Sequence, residues 1–273
     1  MSQDITEQTP PYDFGADPVS VNTHRPNDPR PNKLTHRMRK PTIEQWLLWG
    51  HEIYEERRNL SEEEIREDNE SRGEDGRIES AYQTSFNEFD ASRRLYEAIA
   101  IDVTEYHPDE NGELQPTRTH PLTPELLERA ILGTDVAIGG LYKSYCNLEE
   151  SSQNGTGEVR VRQTIGSSDT PPSVLHILRE ATEEERQKFK DETPRAYQVA
   201  GRPDTIRICN NLRVVDDLYN SMLLHVENAT VNGQGFNEST RAVFLNAINP
   251  VFKLKVLEEA LQIEMTTFYY DNH

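Results

Sequence analysis

Eight histidines (His24, His36, His51, His107, His120, His176, His225 and His273) and two cysteines, Cys146 and Cys209, are the side chains of this 273-residue chain best suited to metal binding or nucleophilic catalysis. No two histidines are spaced as HxH, HxxxH or HExxH, the patterns that set two imidazoles on one side of a strand or helix to share a metal. His51-Glu52 has no second histidine four residues on. The cysteines are too few for a disulfide framework, and neither sits in a CxxC pair, which fits a reducing compartment. A Walker A loop, a dinucleotide fingerprint and a GxSxG elbow are all missing, and Gly155, Gly157 and Gly166 are not arranged to cradle phosphate before a helix. Carboxylates would suffice for a two-acid hydrolase, but nothing singles out a pair. The expectation is a non-enzymatic protein with no catalytic residues, no cofactor and no metal.

Charge narrows the partners. With 29 Lys and Arg against 48 Asp and Glu the formal net charge is −19, so phosphate backbones and anionic membranes should repel the chain. Nucleic acid and membrane are therefore not expected partners. A soluble protein-binding role fits, and so does an acidic DNA mimic that occupies the groove of a DNA-binding protein. No apolar run reaches membrane-spanning length, and the first residues lack the apolar core of a signal peptide.

The elements that would carry such functions fall into a pattern. Residues 1–33 hold six of the 16 prolines and few aliphatics, and form an extended or disordered arm in which Tyr12, Phe14 and Val19 could anchor docking. Basic residues collect only at its end: Arg25, Arg30, Lys33, Arg37, Arg39 and Lys40. Residues 34–150 read as a first unit, 151–157 (SSQNGTG) as a polar linker, and 158–273 as a second unit. Within the first unit, apolar spacing predicts helices from Pro41 and over about 89–106. The ten acids between 55 and 77 read as a solvated helix, and Thr123-Pro124-Glu125 starts a helix pair broken at Gly133. In the second unit, strands are expected at 158–165 and 173–179, a helix from Thr182, a hairpin around 201–204, and helices over about 211–228 and 238–265.

The two units echo each other. His36-Arg-Met-Arg-Lys-Pro-Thr-Ile-Glu lies over His176-Ile-Leu-Arg-Glu-Ala-Thr-Glu-Glu at an offset of 140, with His, Arg, Thr and Glu coincident. Leu95-Tyr96 lies over Leu218-Tyr219 at 123, where Phe89, Ser92, Tyr96, Ile99, Ala100 and Val103 map onto Leu212, Val215, Tyr219, Met222, Leu223 and Val226. Ala130-Ile131 lies over Ala247-Ile248 at 117, with Gly133 on Pro250. Falling offsets imply insertions in the first unit, chiefly the acidic stretch. The expected fold is α+β and mostly helical: two pseudo-repeated units, each with a short strand or hairpin and three to four helices.

The phrase Leu175-His-Ile-Leu-Arg-Glu-Ala-Thr-Glu-Glu-Glu, echoed from His36, resembles the "LREPT" phrase of tail assembly chaperones from tailed phages, where it joins a β-strand to a helix. The resemblance implies a phage structural or assembly protein, a tail assembly chaperone or minor virion component, that binds other structural proteins or forms a homo-oligomer. Its location would be the host cytoplasm or the virion. Tyr12, Phe14, Arg37, Arg39 and Arg179 are the expected partner-binding residues.

Overall fold

The computed structural model describes residues 10–23, 33–71, 82–87, 89–121, 147–153, 157–165 and 172–263. Among them are fifteen strands and seven helices. Strand residues outnumber helical ones, so the fold is a sheet-rich α+β arrangement and not the mostly helical one expected.

The first unit comprises β2 (Val19–Thr23), β3 (Lys33–Met38), α1 (Ile43–Glu52), β4 (Tyr54–Asn59), α2 (Glu62–Ser71), β5 (Tyr82–Phe86), α3 (Phe89–Ile99), β6 (Ala100–Pro108) and β7 (Leu114–Pro121). The second comprises β8 (Asn147–Gln153), β9 (Glu158–Thr164), β10 (Ser173–Arg179), α4 (Glu183–Glu192), β11 (Pro194–Val199), β12 (Arg202–Asn210), α5 (Leu212–Met222) and β13 (Leu223–Glu227). β1 (Tyr12–Asp13) precedes the first unit, and the second continues with β14 (Ala229–Val231), β15 (Gln234–Gly235), α6 (Arg241–Ala247) and α7 (Pro250–Leu261).

The duplication is written into the strand registers. β2 pairs with β3 as Val21↔His36 and β9 with β10 as Val161↔His176, both members shifted by 140. β3 pairs with β6 as His36↔Val103 and β10 with β13 as His176↔Val226, which joins the 140 and 123 offsets in one ladder. Even the irregularity is duplicated: the register jumps between Arg37 and Met38, skipping Ile101, and between Ile177 and Leu178, skipping Leu224. The β4–β5 hairpin (Glu55↔Phe86) and the β11–β12 hairpin (Arg195↔Cys209) obey the same two offsets. The insertion therefore sits at one hairpin tip: where Gly201, at φ +79°, turns β11 into β12, the first unit carries the acidic helix α2.

Local chemistry explains both strand-to-helix steps. Thr42 and Thr182 each accept from the backbone N–H three residues on, while Gln45 and Glu185 reach back to the cap N–H, so α1 and α4 begin with equivalent capping boxes. Both end one residue before an equivalent cap, Ile53 and Thr193, whose N–H donates to Trp49 and Phe189.

Four sheets result: β2-β3-β6-β7, β8-β9-β10-β13, the small β1-β14-β15, and β11-β12-β4-β5, which draws one hairpin from each unit. A single apolar cluster links Trp46, Trp49 and Tyr96 of the first unit to Val215, Tyr219 and Leu257 beyond it. At the seam α1 meets α5 through Gly50, where a methyl group would lie 2.4 Å from Leu212 Cδ1, so any larger residue would have to displace the buried Leu212 side chain.

Several boundaries differ from those expected. Residues 100–108 and 223–227 are strands, not helix ends, and 54–59 is a strand, not part of an acidic helix. Residues 151–153, placed in the linker, finish β8 and pair with β9 across it. The arm supplies β1 and β2. The helix pair broken at Gly133 lies outside the described residues, whereas Pro250 does open α7, with Asn249 capping it. No helix among the described residues is long and apolar enough to cross a membrane.

Candidate functional site

The two equivalent histidines are structural partners of the two equivalent tyrosines. His36 Nδ1 and His176 Nδ1 each lie 2.7 Å from a hydroxyl, of Tyr96 and Tyr219, with the rings edge to face at centroid distances of 5.7 and 5.9 Å. Strands β3 and β10 aim the imidazoles into the core, and the last turns of α3 and α5 aim the phenols at them. All four residues are fully buried. Burial holds His36 at a pKa of about 4 and His176 at about 3, and pushes both phenols upward, so both pairs are neutral near pH 7. A neutral, enclosed imidazole reaches no solute.

Cys209 Sγ stands 3.8 Å from His51 Nδ1, beside a cavity of about 390 Å³ lined by Glu44, Leu48, Arg195 and Arg213. Burial raises the Cys209 pKa despite the nearby Arg195 and Arg207, the reverse of what a thiolate nucleophile needs. Among the described residues no group of three or more His, Cys, Asp or Glu side chains is placed to hold a metal ion.

The residues expected to bind a partner are scattered by the fold. Phe14 is buried, edge to face with Phe252 at 6.2 Å, and Tyr12 packs against Phe14 at 4.9 Å. Their strand β1 runs parallel to β14 in the last part of the chain: Tyr12 N–H donates to Asn228 O and Phe14 N–H to Thr230 O. Asp13 accepts from Asn232 N–H, and Lys40 Nζ donates to Phe14 O. Tyr12 and Phe14 are thus occupied by the chain itself. Arg37 is exposed and pairs with Asp102, while the exposed Arg39 donates its backbone N–H to Ile99 O. Arg179 forks onto Glu185 at 2.6 and 2.8 Å, and also donates to Ser221. That fork, with the Thr182 capping box, holds Glu185 at a pKa of about 2. Arg179 therefore ties the strand to the helix it precedes; it is not a free cation.

What the structure does bring together is the mixed sheet β11-β12-β4-β5. At its seam Thr205↔Arg58, Arg207↔Glu56 and Cys209↔Tyr54 face each other antiparallel. Glu56 accepts from both Arg202 and Arg207, each at 3.0 Å, and the Arg207 guanidinium lies 3.8 Å above the Tyr54 ring. Burial alone would push the Glu56 carboxyl upward, but the two guanidinium groups more than offset it and hold the pKa below the ordinary value. The two outer strands differ from this seam. β5, Tyr-Gln-Thr-Ser-Phe, pairs only with β4 among the described residues; all five side chains are exposed, with Tyr82 at 55% and Phe86 at 51%. Among the same residues β11 pairs only with β12.

Sequence patterning also missed Lys253. It sits fully buried inside the apolar run of α7, where Nζ donates to Asp216 Oδ1, to Asn220 Oδ1 at 2.9 Å and to Leu245 O at 2.6 Å, and lies 5.4 Å from the Tyr219 ring. A lysine amid Val-Phe-Lys-Leu-Lys-Val was the available signal, but its acid partner is 37 residues away. No family model, curated protein or solved structure matches the chain.

Proposed function

We propose that the chain is a non-enzymatic structural or assembly protein of the kind that builds tailed-phage particles, acting by binding other proteins through open sheet edges. The observation that carries this reading is the shared sheet: two copies of one unit joined strand to strand, with an uncharged, exposed edge left over in β5 among the described residues. Natural proteins usually guard such edges with charge, proline or a bulge, because a bare row of backbone donors and acceptors recruits another strand. The strand-to-helix junction Leu178-Arg179-Glu180-Ala181-Thr182 supports the phage class, since it joins β10 to α4 as the resembled phrase joins its own strand and helix.

The acidic-mimic reading draws less support. Glu55, Glu56 and Glu64 of the acid cluster are engaged by Arg57, by Arg202 and Arg207, and by Arg58, so the cluster is partly neutralised internally.

An antibody against the chain, applied to particles purified from the encoding host and to the assembly lysate, tests the proposal. A minor virion component is found in the particle; an assembly chaperone is found only in the lysate, bound to tail proteins. A chain that is absent from the particle and free of tail proteins in the lysate overturns it.

A further inference from the structure

Resting on that reading, we propose that the protein binding these edges is a second copy of the chain, joined head to tail by pairing β5 of one copy with β11 of the next. The argument starts from the seam inside each chain. By the two offsets, β11 is the counterpart of β4 and β12 the counterpart of β5. The seam β12–β4 therefore joins a β5-type strand of one unit to a β4-type strand of the other. This is a heterologous contact, in which two different surfaces meet, and such a contact is not used up by being made once. The β5-type surface of the first unit and the β4-type surface of the second, strands β5 and β11, are the two left open at the ends of the sheet among the described residues.

Strand direction allows the pattern to continue. The order β11-β12-β4-β5 is antiparallel at every step. An even number of alternating strands leaves the next β11 pointing as the first one does, so each added copy enters in the same sense and presents the same free edge again. Continued this way, the sheet either closes on itself as a ring with cyclic symmetry or extends as a filament. Two units per chain give such an assembly twice as many quasi-equivalent units as chains.

The internal seam also dictates the register. Moving Arg207↔Glu56 by the two offsets places Thr84 opposite Ala196 of the next copy, and Ile208↔Glu55 becomes Ser85 opposite Arg195. Within one chain, β5 and β11 are separated by two intervening strands, roughly 14 Å at about 4.8 Å per step, beyond the reach of a disulfide. A disulfide between cysteines introduced at positions 84 and 196 can therefore form only between copies.

The test uses the full chain. Thr84→Cys and Ala196→Cys, made singly and mixed under mild oxidation, should give a disulfide-linked heterodimer whose bridge is mapped by peptide mass spectrometry, and the double variant should give a ladder on a non-reducing gel. Light scattering should show a mass above the monomer that falls on dilution. Ser85→Arg, which sets like charges opposite Arg195, should raise the concentration for half-dissociation about two- to fivefold, and Ser85→Glu should lower it by a similar factor. Circular dichroism of both variants checks that the exposed substitution leaves the fold intact. A multimer without the bridge between positions 84 and 196 overturns this pairing but leaves the assembly role standing. A monomer at every concentration with no bridge overturns self-pairing, whether another segment of the chain or a different protein covers β5; a monomer that also joins no particle or tail protein overturns both.

Discussion

Acidification between pH 7.5 and 5 should destabilise the fold through the two buried imidazoles. In the unfolded chain a histidine titrates near its ordinary value of 6.5; in the fold His36 is held at about 4 and His176 at about 3, because burial disfavours the cation. A depressed folded pKa means that the unfolded state binds the proton first, so stability is lost as pH falls below 6.5 and continues to fall until the folded values are reached. At pH 7.5 the effect is negligible, whereas at pH 5 each ring costs about 2 kcal/mol, so the two together cost about 4 kcal/mol of a total that is typically 5–15 kcal/mol. At roughly 2–4 °C per kcal/mol this lowers Tm by on the order of 10 °C. Carboxylates do not obscure this window: Glu64 and Glu185, held near 2 by Arg58 and Arg179, give up their contribution only below the ordinary value of 4.5. Thermal unfolding followed by circular dichroism from pH 7.5 to 5 should show the decline in the natural chain, about half of it in His36→Gln or His176→Gln, and little in the double variant. Glutamine keeps a hydrogen-bonding group near the phenol and removes the titration, so the slopes are compared and not the absolute Tm values. A flat Tm in the natural chain, or an unchanged slope in the double variant, would refute the assignment of both rings as buried and neutral.

Three further outcomes follow from the packing. Phe14→Ala should cost about 3 kcal/mol in urea unfolding, as for other buried phenylalanines, and a chain lacking residues 1–16 should melt lower; an arm that only binds partners would leave both unchanged. Asp216→Ala should cost about 3–5 kcal/mol by stranding the Lys253 ammonium, and adding Lys253→Met should recover most of it, a double-mutant cycle that equal losses would contradict. Thr42→Ala and Thr182→Ala should each cost about 1 kcal/mol and leave the other unit's helix intact, measured by urea titration; a capping box lost without cost would count against the equivalence of the two junctions.

The duplicated unit was legible because its markers are local. A histidine six residues before a capping threonine, and a Leu-Tyr pair on one helix face, recur at fixed offsets that the registers reproduce. What misled was spacing. Ala100 and Val103, like Leu223 and Val226, are three residues apart, which continues the helical face of Ile99 and Met222. In a regular strand such positions would point to opposite faces; the duplicated bulge at Ile101 and Leu224 turns them to the same side, so a bulged strand imitates a helix. The strand Tyr54–Asn59 was hidden for another reason. Its Glu-Glu-Arg-Arg core has no apolar alternation, and it is held by Arg202 and Arg207, about 150 residues away. Long-range ion pairing leaves no local trace. The Tyr12–Phe14 segment was legible as an anchor, but not its destination, for the same reason.

That segment has a consequence for the order in which the molecule can be made. Asp13 and Asn232, bonded in the finished chain, are 219 residues apart, and Phe14 also needs Phe252. Synthesis runs from the N-terminus at roughly 5–20 residues per second. The Tyr12–Phe14 segment must therefore wait roughly ten seconds or more after its own synthesis for its site to exist. A truncated product that stops before β14 would keep an exposed Tyr-Asp-Phe tag, which a chain extending through α7 hides.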